Sequence, residues 1–171
     1  MNFFLLTLDY EQWLRKNCSM KLDQIDLKLL GLLQEDSKRT NKELAAKLDL
    51  SVTAAFERIR KLERAGVISR YMAIVEPRKV ERSFMAFCQI KLVQHTKTNV
   101  SQFEKQVARL KEVLECYNVS GEYDYLLKVL VKDMEAYREF LLHKLTTLDH
   151  IGSTQSTFVI SEVKNSKVII D

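Results

Sequence analysis

Proline occurs once and glycine four times in 171 residues. That scarcity excludes a loop-rich, collagen-like or low-complexity chain, so regular secondary structure must dominate. Cysteine is equally sparse: Cys18, Cys88 and Cys116 are an odd number without CxxC spacing, which argues against a disulfide framework and for a reducing cytoplasm. All three are expected to be packing residues. His95, His143 and His150 have no neighbours at metal-ligand spacing. There is no Gly-rich phosphate loop and no Ser-centred elbow. No run approaches the ~20 apolar residues of a membrane span. The opening Phe3-Phe4-Leu5-Leu6 follows no basic residue and is cut by Asp9, short of a signal-peptide core. The expectation is a protein that is not an enzyme, with no cofactor, no metal and no membrane partner.

What is present is ordinary in bulk and uneven in place. Apolar residues make up 46% and charged residues 29%, as in a packed soluble protein. The length allows one full domain or two small ones. Net charge is +4, and its distribution is the informative part. Residues 20–82 carry 14 basic against 10 acidic side chains, whereas residues 1–19 and 83–171 each balance at zero. A basic module joined to a neutral one is the plan.

In the basic block, Leu22, Ile25, Leu29, Leu32 and Leu33 form a helical apolar stripe, with Asp23, Asp26, Lys28 and Gln34 assigned to the polar side and the helix ending near Ser37. Thr40-Asn41-Lys42-Glu43 is a capping-box signature for a second, short helix holding Leu44, Ala45 and Leu48. After Asp49-Leu50, Ser51 can cap a third helix. Its buried face is read as Val52, Ala55, Ile59 and Leu62, and Gly66 stops it. Two helices joined by a tight turn behind a longer one make a helix-turn-helix. Left outside on the third helix are Thr53, Ala54, Glu57, Arg58, Lys61 and Arg64, with Arg60 at the margin. Small groups at the start and cations beyond suit a helix entering the major groove of double-stranded DNA. Glu57 is the misfit there unless it pairs with Lys61 or accepts from a cytosine amine.

Ile68 to Val75 is β-rich and reads as a connecting strand, followed by a polar hinge around Pro77. Beyond it, strand, helix, strand, strand, helix and strand patterns follow in turn: 84–93, a stripe at Phe103, Val107 and Leu110, then 113–120, 125–131, a stripe from Tyr137 to Leu148, and 154–163. The order βαββαβ is a ferredoxin-like sandwich. The fold class expected is therefore α+β, with boundaries at 1–19 (extension), 20–67 (helix-turn-helix), 68–82 (connection) and 83–171 (sandwich). Within the sandwich, Gly121-Glu122-Tyr123-Asp124 stands at a hairpin. Gly121 can turn successive backbone amides into one concavity for a carboxylate, and Asp124 can balance an ammonium. Such a site would fit a zwitterion.

The runs Leu22-Asp23-Gln24-Ile25-Asp26, Asn41-Lys42-Glu43-Leu44-Ala45, Leu50-Ser51-Val52-Thr53 and Arg58 through Ile68 resemble the Lrp/AsnC family of feast/famine transcription regulators. Val52 stands where the family often has Pro, and Asp49 where it often has Gly. The resemblance runs from about Met20 almost to the C-terminus. It implies sequence-specific DNA binding through Ser51, Thr53, Ala54, Glu57, Arg58, Arg60, Lys61 and Arg64. It also implies a winged form of the helical domain, sheets that dimerise, and dimers that often assemble into octamers. An amino-acid effector pocket between subunits is implied at Asn118, Val119, Gly121, Tyr123, Asp124, Ser153, Thr154 and Ser156. The rival reading from the residues is an amino-acid sensor acting through a protein partner instead of DNA. Leu6, Tyr10, Trp13 and Leu14 have helical spacing in the extension before the resemblance begins.

Overall fold

The computed structural model describes residues 21–166 and 168–170; the readings made on 1–19, Cys18 among them, lie outside the described residues. Among the described residues two compact units form, one from 21–73 together with 164–166 and 168–170, the other from 74–163.

In the first unit, helix α1 runs Gln24–Glu35, α2 Asn41–Leu48 and α3 Val52–Arg64. Each start is fixed by a side chain. Thr40 and Glu43 form the expected capping box, and the Ser51 hydroxyl accepts from the Ala54 amide at 3.1 Å. Asp49 closes α2 in the left-handed region, at φ 56°. Gly66, at φ 73°, ends α3, with its amide donating to Glu63 and that of Val67 to Leu62. That pair of bonds satisfies carbonyls that a helix end leaves open. Leu29, Leu30, Leu44, Ile59 and Leu62 make the core. Further along the chain, the amides of Ile169 and Ile170 both donate to Gln34 Oε1, at 3.2 and 3.1 Å, and Ile170 packs on this core.

Two sequence assignments fail here. Val52 is 49% exposed, because the first turn of α3 projects beyond the helices that cover the rest of its stripe. Asp26, assigned to the polar side, is 1% exposed. It is tolerated because Arg58 Nη1 on α3 lies 2.6 Å from Asp26 and 2.8 Å from Asp23. Asp23 and Asp26 also form a capping box at the start of α1. One guanidinium therefore ties the N-terminus of α1 to the middle of α3. The Asp26 amide and Arg58 hold the Asp23 carboxyl below its ordinary value, and the two carboxylates hold Arg58 above its own. For Asp23 the sign follows: its contribution to stability is present above the ordinary carboxylate range and is lost as pH falls through the lowered folded value.

The expected connecting strand at Ile68 to Val75 does not form. Those residues have no ladder partner among the described residues, and a 3-10 turn follows at Pro77–Val80. The second unit has the expected βαββαβ order: β1 Phe84–Leu92, α4 Lys97–Val107, β2 Val113–Asn118, β3 Tyr125–Val131, α5 Met134–Phe140 continuing as a π turn Leu141–Leu145, and β4 Ile151–Phe158. The sheet is antiparallel in the order β2-β3-β1-β4. The last strand begins and ends earlier than its composition suggested, because pairing of Leu92 with Ile151 and Ala86 with Phe158 sets its limits. Alternate residues of β1 and β3, from Ala86 to Leu92 and from Tyr125 to Val131, face Phe103, Val107, Tyr137, Phe140 and Leu145. Cys88 is in this core, whereas Cys116 on β2 is exposed, so the packing role assigned to it does not hold.

Asp26→Ala leaves the Arg58 charge without its buried partner. The urea unfolding free energy of the helical unit is expected to drop by about 3 kcal/mol. A loss below about 0.5 kcal/mol would show the bridge to be incidental.

Candidate functional site

On α3 the surface opposite Ala55, Ile59 and Leu62 carries Thr53, Glu57, Arg60, Lys61 and Arg64, all exposed, with Ala54 half-buried. Ser51 is exposed and spends its hydroxyl on the cap. Lys61 has no ion pair among the described residues. The Arg60 guanidinium sits 5.1 Å over the Phe56 ring, an attraction that orients the side chain without neutralising it. Glu57 turns to Arg64, at 3.8 Å, and not to Lys61. Both partners are well exposed, so this pair is weak and separable.

Arg58 departs from its sequence assignment. Its side chain is only 26% exposed and its guanidinium is committed to the two aspartates. The reason was present in the chain: positions 55, 58, 59 and 62 follow one helical face, so Arg58 lies on the buried stripe and not opposite it. Phe56, exposed at 39%, was not singled out, although an aromatic on the helix face between Thr53 and Arg60 is a signal for a surface role.

The hairpin of the second unit is organised by Asp124. Its carboxylate accepts from the Leu92 amide at 2.7 Å and contacts His95 Nε2 at 2.6 Å. The Asp124 amide donates to Ile90, and its carbonyl accepts from the Val119 amide at 2.9 Å and from Asn118 Nδ2 at 3.1 Å. The loop between β2 and β3 is thereby fastened to the end of β1. Gly121 makes the turn at φ 130°, where a Cβ would be strained. Tyr123 donates its hydroxyl to Gln155 Oε1 on β4. The loop residues Asn118, Val119, Gly121, Tyr123 and Asp124 are thus brought together.

The β4 residues divide between the two sheet faces. Thr154 and Ser156 pair with Ile90 and Cys88 and are half-buried, while Ser153, opposite Lys91, is exposed. Ser156 and the Tyr137 hydroxyl are 2.6 Å apart, and burial pushes the Tyr137 phenol up to about 12. The residue of β4 that reaches the hairpin is Gln155, which the sequence reading passed over. Alternation along a strand would have placed it with Ser153 and Thr157, away from the helices. Among the described residues no group of three or more His, Cys, Asp or Glu side chains is arranged to hold a metal ion. None of their helices is long and apolar enough to cross a membrane.

Comparison with known proteins covers both units. Residues 22–69 match a family described as winged helix-turn-helix DNA-binding, and residues 85–169 match the Lrp/AsnC ligand binding domain. The leucine-responsive regulatory proteins of Escherichia coli K12 and Klebsiella pneumoniae are each 38% identical over 156 residues, covering 91% of this chain and 95% of theirs. A transcriptional regulator from Neisseria meningitidis, solved as an L-Met complex, is 34% identical with a TM-score of 0.83, over 87% of this chain and 96% of that one. An AsnC family transcriptional regulator from Agrobacterium tumefaciens is 36% identical with a TM-score of 0.82, over 85% and 95%.

Asp124→Ala strands the Leu92 amide at the end of β1. It is expected to destabilise the sandwich by about 2 kcal/mol, whereas Asp124→Asn, which keeps an acceptor oxygen, should lose less. Equal melting temperatures for wild type and the Ala variant would contradict the fastening role.

Proposed function

The chain belongs to the Lrp/AsnC family of DNA-binding transcription regulators, and on that premise we propose how its two units divide the work. The helical unit, residues 20–67, binds double-stranded DNA and the sandwich, expected at 83–171 and ending at 163 as a compact unit, binds an amino acid, with 68–82 connecting them. The observation that carries the first part is the face of α3. Its N-terminal turn presents Ser51, Thr53 and Ala54, with Glu57 one turn on, and the cations follow at Arg60, Lys61 and Arg64. In a major groove such a helix brings the small groups to base edges and the cations to phosphates. Arg58 supports the helix from behind and is not counted among the phosphate contacts.

The protein acts as a homodimer, with octamers as the larger assembly. Self-association is supported by apolar side chains that one chain leaves uncovered: Tyr71, Met72, Ile74 and Val75 lie in the segment without a ladder partner, and they are 48% to 84% exposed. The sheet face away from the helices adds Phe87, Leu126 and Leu130, which alternate with the buried positions of β1 and β3. Two α3 helices related by a two-fold axis would meet major grooves about 34–36 Å apart, so the operator is expected to be roughly palindromic. Its place of action is the cytoplasm, where such DNA is found.

For the ligand, the names of the relatives point to amino acids: a leucine-responsive regulator and an L-Met complex. The hairpin at Asn118, Val119, Gly121, Tyr123 and Asp124 is the proposed pocket wall, with the Asp124 carboxylate for the ammonium group. Of the proposed β4 side, Ser153 shares the sheet face of Gln155, whereas Thr154 and Ser156, proposed with it, face the helices, where Ser156 meets Tyr137. A ligand that favours one assembly over another shifts the population between them and so alters DNA binding.

Both parts are open to measurement. With three phosphate contacts from each subunit, raising salt from about 50 to 200 mM should weaken operator binding on the order of 10³-fold. Affinity indifferent to salt would remove the role of Arg60, Lys61 and Arg64. L-Leucine or L-methionine at about 100 times its Kd should stabilise the folded protein by about 2.7 kcal/mol. If none of the twenty amino acids raises the melting temperature, the effector reading is wrong.

A further inference from the structure

An ammonium group at Asp124 meets a difficulty, since both carboxylate oxygens already have partners. The two partners differ in kind. Oδ2 accepts from the amide of Leu92, the last ladder residue of β1. That donor is backbone, and it cannot leave without unpicking the strand end. Oδ1 is engaged by His95 Nε2 at 2.6 Å. His95 lies three residues further on, in the irregular connection between β1 and α4, with its side chain 52% exposed. No other partner of that ring is present among the described residues. The Asp124 carboxylate itself is 20% exposed.

We propose that His95 is a displaceable stopper on the Asp124 carboxylate, which an incoming primary ammonium must replace at Oδ1. This rests on the reading of Asp124 as the ammonium counter-charge and adds the residue that sets its selectivity. The exchange is chemically sensible. Nε2 offers one donor to the carboxylate, whereas an ammonium offers three and a full positive charge. A neutral amide nitrogen offers only a neutral bond, too little to displace the ring. The site should therefore select free amino acids over N-acylated or peptide-bonded ones. The ring also lowers apparent affinity by the fraction of time it occupies the oxygen, as any competing closed state does.

Removing the ring and replacing it with a permanent cation should then act in opposite directions. His95→Ala deletes the competitor, and binding should tighten about threefold to tenfold. His95→Lys installs a tethered ammonium on the same oxygen, and binding should weaken about tenfold or more. Both substitutions sit on an exposed connection, so the sandwich should fold in either case. The test is isothermal calorimetry on the full chain, using the amino acid that stabilises the wild type most among the twenty in a thermal-shift series, and its N-acetyl derivative. Asp124→Asn is measured alongside.

Opposite movements for the Ala and Lys variants, with no binding of the N-acetyl compound, are the expected result. If both His95 variants bind as wild type does while Asp124→Asn loses binding, the stopper is overturned and the ammonium reading stands. If Asp124→Asn binds as wild type does, the ammonium reading falls and the stopper with it. If no amino acid binds either wild type or His95→Ala, both fall.

Discussion

The orientation of α3 depends on one guanidinium. Arg58 reaches back from that helix to Asp23 and Asp26 at the start of α1, at 2.8 and 2.6 Å. A carboxylate as buried as Asp26 cannot stay charged among leucines unless a cation comes with it. Neither group is comfortable alone, so the two fix each other, and with them the angle at which α3 presents its opposite face. Such a bridge adds less net stability than an apolar pair of similar size, but it penalises any packing of the helices that separates its members. Of the exposed cations on the far side, Arg60 lies over Phe56 and Arg64 is within reach of Glu57, while Lys61 has no ion pair among the described residues.

Aspartate does similar work in the second unit. Asp124 binds through its carboxylate, its amide and its carbonyl, and so joins the β2–β3 loop to the end of β1. The positive φ of Gly121 lets that loop turn back far enough to make these bonds. Tyr123, through Gln155, secures the same loop to β4. The loop is thus held to the sheet by a backbone donor, the Leu92 amide, and on its other side by the exposed ring of His95.

Legibility in the sequence followed the distance over which each interaction acts. The Thr40 and Glu43 box, the Ser51 cap, the left-handed Asp49 and the Gly66 stop are all settled within five residues, and each could be read directly. Strand patterning gave the extents of β1 and β3 for the same reason. The Arg58 bridge spans 32 and 35 residues. Even so, both ends were marked: Asp26 falls four residues from both Leu22 and Leu30, and Arg58 sits between Ala55 and Leu62 on the buried stripe. Two opposite charges on two facing apolar stripes are a pairing signal. The limits of β4 and the π turn at Leu141–Leu145 were not legible, since register against β1 and the packing of Leu145 decide them. Residues 68–75 have a strand's composition, but a strand needs a partner, and the described residues offer none.

If Arg58 acts as a strut for α3 and not as a phosphate contact, replacing the bridge by apolar side chains should leave DNA electrostatics intact. The decisive measurement is the slope of log K against log salt for operator binding, taken for wild type, for the charge-neutral double variant Asp26→Leu with Arg58→Met, and for Lys61→Met. An unchanged slope in the double variant, beside a slope reduced by about one per lost phosphate contact in Lys61→Met, is expected. A double variant whose slope falls as far as that of Lys61→Met would place Arg58 on the DNA and contradict the assignment.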